Sequence, residues 1–283
     1  MAAALEPIFV RLREIGSGTD AEIDLGKTAL LLSELAHPGI VSERYLAHIR
    51  KLGEDVGHRY HSLLTAGAED SADTRLAALK HTLADQYGYH GDEVQYDDIR
   101  NADLIDVIER RMGMPITLSI LYILAAQAQG WDVAGLNVPG HFVVRLEKDG
   151  QRLIFDPFHC CAVLNAPDLR QLIKKTMGEH AELSASYFEP VGPRQILIRL
   201  QNNIKIRLIE GEDYERALQV VESMRALDPH EYRLLLDAGV LCARTGRAQA
   251  AMVALEDYIK QAPDQRDRQE AAILLQHIRS TLQ

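Results

Sequence analysis

At 283 residues the chain has room for one large or two ordinary domains, and 47% hydrophobic with 25% charged residues marks a folded globular protein rather than a disordered one. A formal charge of −10, with no long Lys/Arg block, argues against nucleic acid or an anionic membrane surface as a partner. The start, Met1-Ala2-Ala3-Ala4-Leu5-Glu6-Pro7, has no basic segment before an apolar core, and no apolar run reaches about eighteen residues, so neither a Sec-type signal nor a membrane span is expected. Cys160, Cys161 and Cys242 are too few, and the adjacent pair too awkwardly placed, for a disulfide framework, which points to a reducing cytoplasm.

The first hundred residues read mostly as a helical scaffold. Residues 21–34 carry Ile23, Leu25, Ala29, Leu30 and Leu32 at helical spacing, with His37-Pro38-Gly39 as the stop. Ser42 can cap the next helix, which places Tyr45, Ile49 and Leu52 on one face. A third helix over 76–87 ends at Gly88 and leads into a polar loop, 90–101. Residues 103–111 predict a short helix through Leu104, Val107 and Ile108. Pro115 fits the first turn of another, where its missing N–H costs nothing. From 116 to 129 that helix is apolar nearly all round, so it should be the buried central helix, with Gly130 as its left-handed terminator.

Three strands follow, over 133–138, 142–146 and 152–155, and Asp149-Gly150 favours a two-residue type I′ turn between the last two. In that register Leu146 faces Leu153, Val144 faces Phe155 and Val143 faces Asp156. His141 and Asp156 then share a face as diagonal neighbours on adjacent strands, roughly 7–8 Å apart and within reach of a planar side chain. A His and a carboxylate so placed, beside a helix beginning at Gly113-Met114-Pro115, are two parts of a thiol site. In such a site a helix N-terminus lowers the pKa of a Cys, and the carboxylate holds the His in one tautomer.

Beyond residues 186–190 the character changes. Ala217 and Ala251 are 34 residues apart, as are Pro229 and Pro263, and on that period Leu208 falls opposite Cys242 and Val221 opposite Leu255. A helix-turn-helix unit of that length, with a small residue at the helix crossing, is the tetratricopeptide pattern. Two units, about 198–231 and 232–265, precede a capping helix from Arg268, and two are fewer than the three or more such arrays need alone. Cys242 takes an apolar position of the repeat and reads as core.

The segment Asn101-x-x-Leu104-x-x-Val107-x-x-Arg110-Arg111-x-Gly113-x-Pro115-Ile116-x-Leu118 is similar to the signature of the bacterial Sir-B-one (SirB) family. Pro139-Gly140-His141-Phe142 and Phe155-Asp156-Pro157-Phe158 resemble its two later motifs, and the likeness covers almost the whole chain. The resemblance implies a transglutaminase-like N-terminal domain joined to C-terminal tetratricopeptide repeats. It implies His141 as base and Asp156 as its orienting carboxylate. Active members of the wider superfamily carry a nucleophilic Cys about fifteen residues before the Gly that ends the central helix. Counting back from Gly130 gives Pro115, with Ile116 beside it, and neither can attack a carbonyl.

Thr117 and Ser119 stand near the helix start, and their hydroxyls are expected to satisfy free N–H groups of the first turn. Cys160 and Cys161 follow Asp156 by four and five residues, so a loop could in principle bring one to His141, although the same loop resembles a glycine-rich turn of the family. His141, Asp156 and His159, with Cys160 or Cys161 as a fourth, are candidate metal ligands, but no CxxC or HxxxH spacing supports them; a packed His and a surface-exposed His159 explain the same residues, and no metal or cofactor is expected.

The fold expected is α+β. A helical scaffold and a papain/transglutaminase-like core, with a central helix against a small antiparallel sheet, fill 1–186, and an all-α tetratricopeptide array fills 187–283. The function expected is a non-catalytic interaction or regulatory protein of the cytoplasm. It would engage a protein or peptide through the repeats and the cleft near His141, with no nucleic acid or membrane partner. The alternative is a thiol acyl-transferase or amide hydrolase using His141 and Asp156 with Cys160 or Cys161.

Overall fold

A computed structural model describes residues 2–281, which divide into two compact units. One runs from Asp24 to Leu200; the other combines the residues up to Ile23 with those from Gln201 onward. Helix α1 (Ala2–Ser17) therefore belongs with the C-terminal helices. The first domain expected from the sequence, 1–186, includes this helix.

The 24–200 unit opens with α2 (Leu25–Ser33), whose cap Asp24 accepts the Lys27 N–H at 2.9 Å. The helix expected from residue 21 is divided, because Thr19 and Glu22 build a separate capping box around the turn Asp20–Glu22. Helix α3 (Glu43–Thr65) begins after Ser42, which does not cap it; the Ser42 backbone is already helical and its hydroxyl donates to Glu34 instead. Helix α4 (Ala72–Leu79), capped by Ser71, continues into a π-helical stretch, Lys80–Gln86, and Gly88 ends the run at φ +76°. Strand β1 (His90–Gly91) pairs in parallel with β2 (Met112–Gly113). Between them lies α5 (Leu104–Arg110), whose cap Asp103 accepts the N–H groups of Ile105 and Asp106. Helix α6 (Pro115–Gln127) has Pro115 in its first turn and is buried on almost every side, as its apolar run requires.

The second sheet is wholly antiparallel. Strands β3 (Asp132–Val138), β4 (His141–Lys148), β5 (Gln151–Asp156), β6 (Ala162–Val163) and, after helix α7 (Ala166–Met177), β7 (Pro190–Val191) take the spatial order β6-β5-β4-β3-β7. Asp149 and Gly150 both have positive φ, 49° and 82°, as a type I′ turn demands. The register follows from that turn: Lys148 pairs with Gln151, Leu146 with Leu153 and Val144 with Phe155.

Strand alternation then sorts the two faces. Gly135 and Phe142 face α6: a Cβ on Gly135 would lie 2.5 Å from the Phe142 ring and 3.4 Å from Ile123. Phe155 points the same way, edge-on to Tyr122. On the other face, Leu136, Val138, Val143 and Ile154 pack with Leu169 and Ile173 of α7. His141 and Asp156 fall on this second face.

Helix α8 (Pro193–Glu210) contains the boundary between the units at Leu200/Gln201, rather than near residue 186. The other unit is all helical: α9 (Tyr214–Leu227), α10 (Arg233–Arg244), α11 (Ala248–Gln261) and α12 (Gln265–Thr281). Ala217 and Ala251, one period apart, are completely buried, and Leu208 and Cys242 are buried at matching positions. The 34-residue period is thus a period of packing. Helix α1 packs on α9, so closely that a Cβ on Gly16 would stand 2.0 Å from the Ala226 carbonyl oxygen. That extra helix gives a two-repeat array the additional cover it needs.

Candidate functional site

His141 begins β4 and Asp156 ends β5, and the register brings His141 Nε2 to 2.7 Å from Asp156 Oδ2. The carboxylate is 1% exposed. A third residue joins them: His159, exposed as expected, brings Nδ1 to 2.6 Å from the same Oδ2. A carboxylate only accepts, so both ring nitrogens donate to it. Its other oxygen, Oδ1, accepts the Phe158 N–H at 2.9 Å. The signal for His159 is its position three residues beyond Asp156 across the buried Pro157-Phe158 turn, which folds the chain back on the carboxylate.

The two imidazoles stack at 6.0 Å between centroids and 24° between planes, and Phe158 stands edge-on to both. Burial alone would raise the Asp156 carboxyl, but the hydrogen bonds and charge of His141, then of His159, outweigh it and hold it below the ordinary carboxylate value. The backbone is fixed as well. Arg199 of α8 donates to the His141 carbonyl at 2.9 Å and lies over the Phe142 ring. Gly140, at φ +75°, passes so close to α7 that a Cβ would stand 2.0 Å from Thr176 Oγ1.

His141 and His159 open into a cavity of about 490 Å³, walled by Glu93 and Tyr96 of the 90–101 loop and by Leu172, Lys175 and Thr176 of α7. A second cavity of about 450 Å³ shares Glu93, Phe158 and His159 and adds His90, Asp92, Met112 and Cys160.

Most of the motif residues hold this scaffold together. The Asn101 carbonyl accepts the Met114 N–H at 3.0 Å and the Thr117 hydroxyl at 2.9 Å. Its side-chain Oδ1 accepts from Arg110 at 2.9 Å, and Arg110 also reaches Asp92 at 3.1 Å. Arg111 ends α5 in the left-handed region, at φ 62°, and packs on Tyr89 and His48. Burial, then the Arg111 charge, pushes the His48 imidazole down to about 4. Gly113 has no room for a side chain, since a Cβ would stand 2.9 Å from Val107.

The groups at the α6 start and in the loop after β5 are placed as follows. Pro115 and Ile116 are buried in the core. Thr117 and Ser119 are completely buried, and their hydroxyls donate to the carbonyls of Asn101 and Pro115 rather than receiving first-turn N–H groups as expected. Cys160 and Cys161 both have positive φ, 49° and 61°, which accounts for the glycine character of this turn. All three thiols are free; Cys160 is exposed, while Cys161 and Cys242 are buried. Burial pushes the Cys161 thiol up to about 12, the reverse of what a nucleophile needs. Brief iodoacetamide treatment of the native protein should therefore modify Cys160 alone, with Cys161 and Cys242 reacting only in denaturant. Peptide mapping that finds native labelling of Cys161 would contradict this packing.

Residues 43–202 match the transglutaminase-like superfamily, and residues 204–276 match a tetratricopeptide repeat, a module that generally mediates protein–protein contact. A protein named UPF0162 from Xylella fastidiosa is 28% identical over 249 residues, 86% of each chain. Its namesake from Vibrio cholerae is 25% identical over 185 residues, 65% of this chain and 67% of that one. Human F-box only protein 21 is 27% identical over 168 residues, 57% of this chain but 26% of that protein. No solved structure matches the chain. Among the described residues, no helix is long and apolar enough to cross a membrane.

Proposed function

We propose a non-catalytic interaction or regulatory role for this protein, which belongs to the transglutaminase-like superfamily. Within it, we place the chain with the Sir-B-one type on the motifs around Asn101, His141 and Asp156. The observation that carries the proposal is the start of α6. Its first turn offers Pro115 and Ile116, and its only hydroxyls are buried and bound to carbonyls. A His–carboxylate pair without an activated nucleophile has no covalent route to an acyl intermediate.

What remains is a cavity edged by two imidazoles, Glu93 and Lys175, suited to hydrogen bonding with a peptide, and a repeat array of the kind that grips helices or extended segments. The reading is therefore a cytoplasmic binder of a protein or peptide, through the repeats and the His141 cleft. The competing reading, a thiol acyl-transferase or amide hydrolase, draws on Cys160, which lines the second cavity with His159.

Turnover assays separate the two. With amide, ester and isopeptide substrates, the wild type is expected to hydrolyse or transfer no faster than His141→Ala. Turnover that vanishes in both His141→Ala and Cys160→Ser would establish the competing reading.

A further inference from the structure

The geometry points to the His141–Asp156–His159 cluster as a binding site for a divalent transition metal such as Zn²⁺, with open coordination positions turned to the cavity. The three residues come from the start of β4, the end of β5 and the turn after it, and each offers a donor atom within 4.8 Å of the other two. Two imidazoles and one carboxylate are a donor set that suits borderline ions such as Zn²⁺ and Co²⁺ and disfavours Mg²⁺ or Ca²⁺. The carboxylate is already oriented from behind, because the Phe158 N–H holds Asp156 Oδ1 and leaves Oδ2 for the shared position.

Hydrogen bonding alone also explains the cluster, so the distances decide how much must move. Oδ2 lies 2.7 Å from His141 Nε2 and 2.6 Å from His159 Nδ1. Ligand bonds of about 2.0–2.1 Å in a tetrahedral shell put neighbouring donors about 3.3 Å apart, so each pair must open by roughly 0.6 Å. His141 is held by β4, and Asp156 is buried. His159, whose side chain is 49% exposed, sits on a turn and is free to supply the motion.

Each imidazole would shift its ring proton to its other nitrogen and present a lone pair to the ion. The cavity beyond the imidazoles is about 490 Å³, so water or a carboxylate of a bound segment can fill the remaining positions. Glu93 and Lys175 in its wall set the charge such a segment meets. The inference goes beyond the binding role proposed above and stands without it, because metal uptake needs no protein partner.

The test is titration of the tag-free full chain with Zn²⁺ alone by calorimetry, and with Co²⁺ alone by visible absorption. Wild type should take up a single ion, with a Co²⁺ spectrum of low coordination number and no thiolate charge-transfer band. Affinity should fall about tenfold or more in His159→Gln and in His141→Gln. It should be unchanged in Cys160→Ser and in His37→Gln, which alters the separate His37–Asp103–Asp106 group. The proposal is overturned if wild type takes up no ion or holds it no better than His159→Gln. It is equally overturned if the Co²⁺ spectrum shows thiolate ligation, or if the loss follows Cys160→Ser or His37→Gln. Because the wild-type spectrum is read by itself, a poorly folded variant does not protect the proposal.

Discussion

Asp156→Ala is expected to lower the unfolding free energy by about 3 kcal/mol, because it strips the acceptor from two buried N–H groups and a third, half-exposed one, at about 1–3 kcal/mol for each left buried and unpaired. In a domain of this size that corresponds to a fall in Tm of about 6–12 °C. Asp156→Asn should cost roughly half as much, since the amide oxygen still accepts while its NH₂ confronts ring N–H groups. His159→Ala should cost less again, because its imidazole is 49% exposed. The pH dependence has a definite sign. The folded Asp156 pKa is depressed, so its contribution is fully present above the unfolded carboxylate value of about 3.9 and disappears as pH falls through the lower folded one. The wild-type advantage over Asp156→Ala should therefore be constant near neutrality and shrink in acid. A cost below about 1 kcal/mol at neutral pH would mean that the cluster is not a buried acceptor site.

Arg110→Ala is the second large effect. Its guanidinium neutralises Asp92, which is 6% exposed, and holds Asn101 Oδ1. Burial works to raise the Asp92 carboxyl, but the Gln95 N–H, Asn101 and Arg110 together keep it below the ordinary value. Removing the arginine leaves the Asp92 carboxylate with only the Gln95 N–H and Asn101 as donors and Asn101 Oδ1 without its partner, a loss of about 2–3 kcal/mol. The consequence should spread along the 90–101 loop, because Asn101 also anchors Met114 and Thr117 at the α6 start. Urea unfolding gives the magnitude, and amide hydrogen exchange should show faster opening of residues 92–101, which carry Glu93 and Tyr96 into the cavity wall. A loss below about 1 kcal/mol, the range of an exposed ion pair, would show that this network does not fix the loop.

How much of this was legible in the sequence depends on the range of the interaction. Asp149-Gly150 specifies a local turn, and that turn specifies the β4–β5 register; the His141–Asp156 pair follows from two adjacent residues. The repeat period was legible because Ala217 and Ala251 fill equivalent crossings. Helix caps were less so. Ser42 has a capping residue's identity, but Glu34, eight residues away, takes its hydroxyl. The grouping of α1 with the repeats is a long-range packing fact, carried by Gly16 against Ala226, and no local pattern announces it. The hydrogen bond from His159 to Asp156 is hidden for a similar reason. The His159 side chain is 49% exposed, and only the folded Pro157-Phe158 corner shows it to be a partner of Asp156.

His141 and Asp156 are proposed to serve a site without an activated nucleophile. The most direct test is intact-protein mass spectrometry after brief incubation of the full chain with an activated acyl ester, comparing wild type with His141→Ala and Cys160→Ser. The same slow, non-specific acylation of wild type and His141→Ala is expected. A rapid single acyl adduct on a thiol of the wild type, lost in both variants, would contradict it and return the site to catalysis.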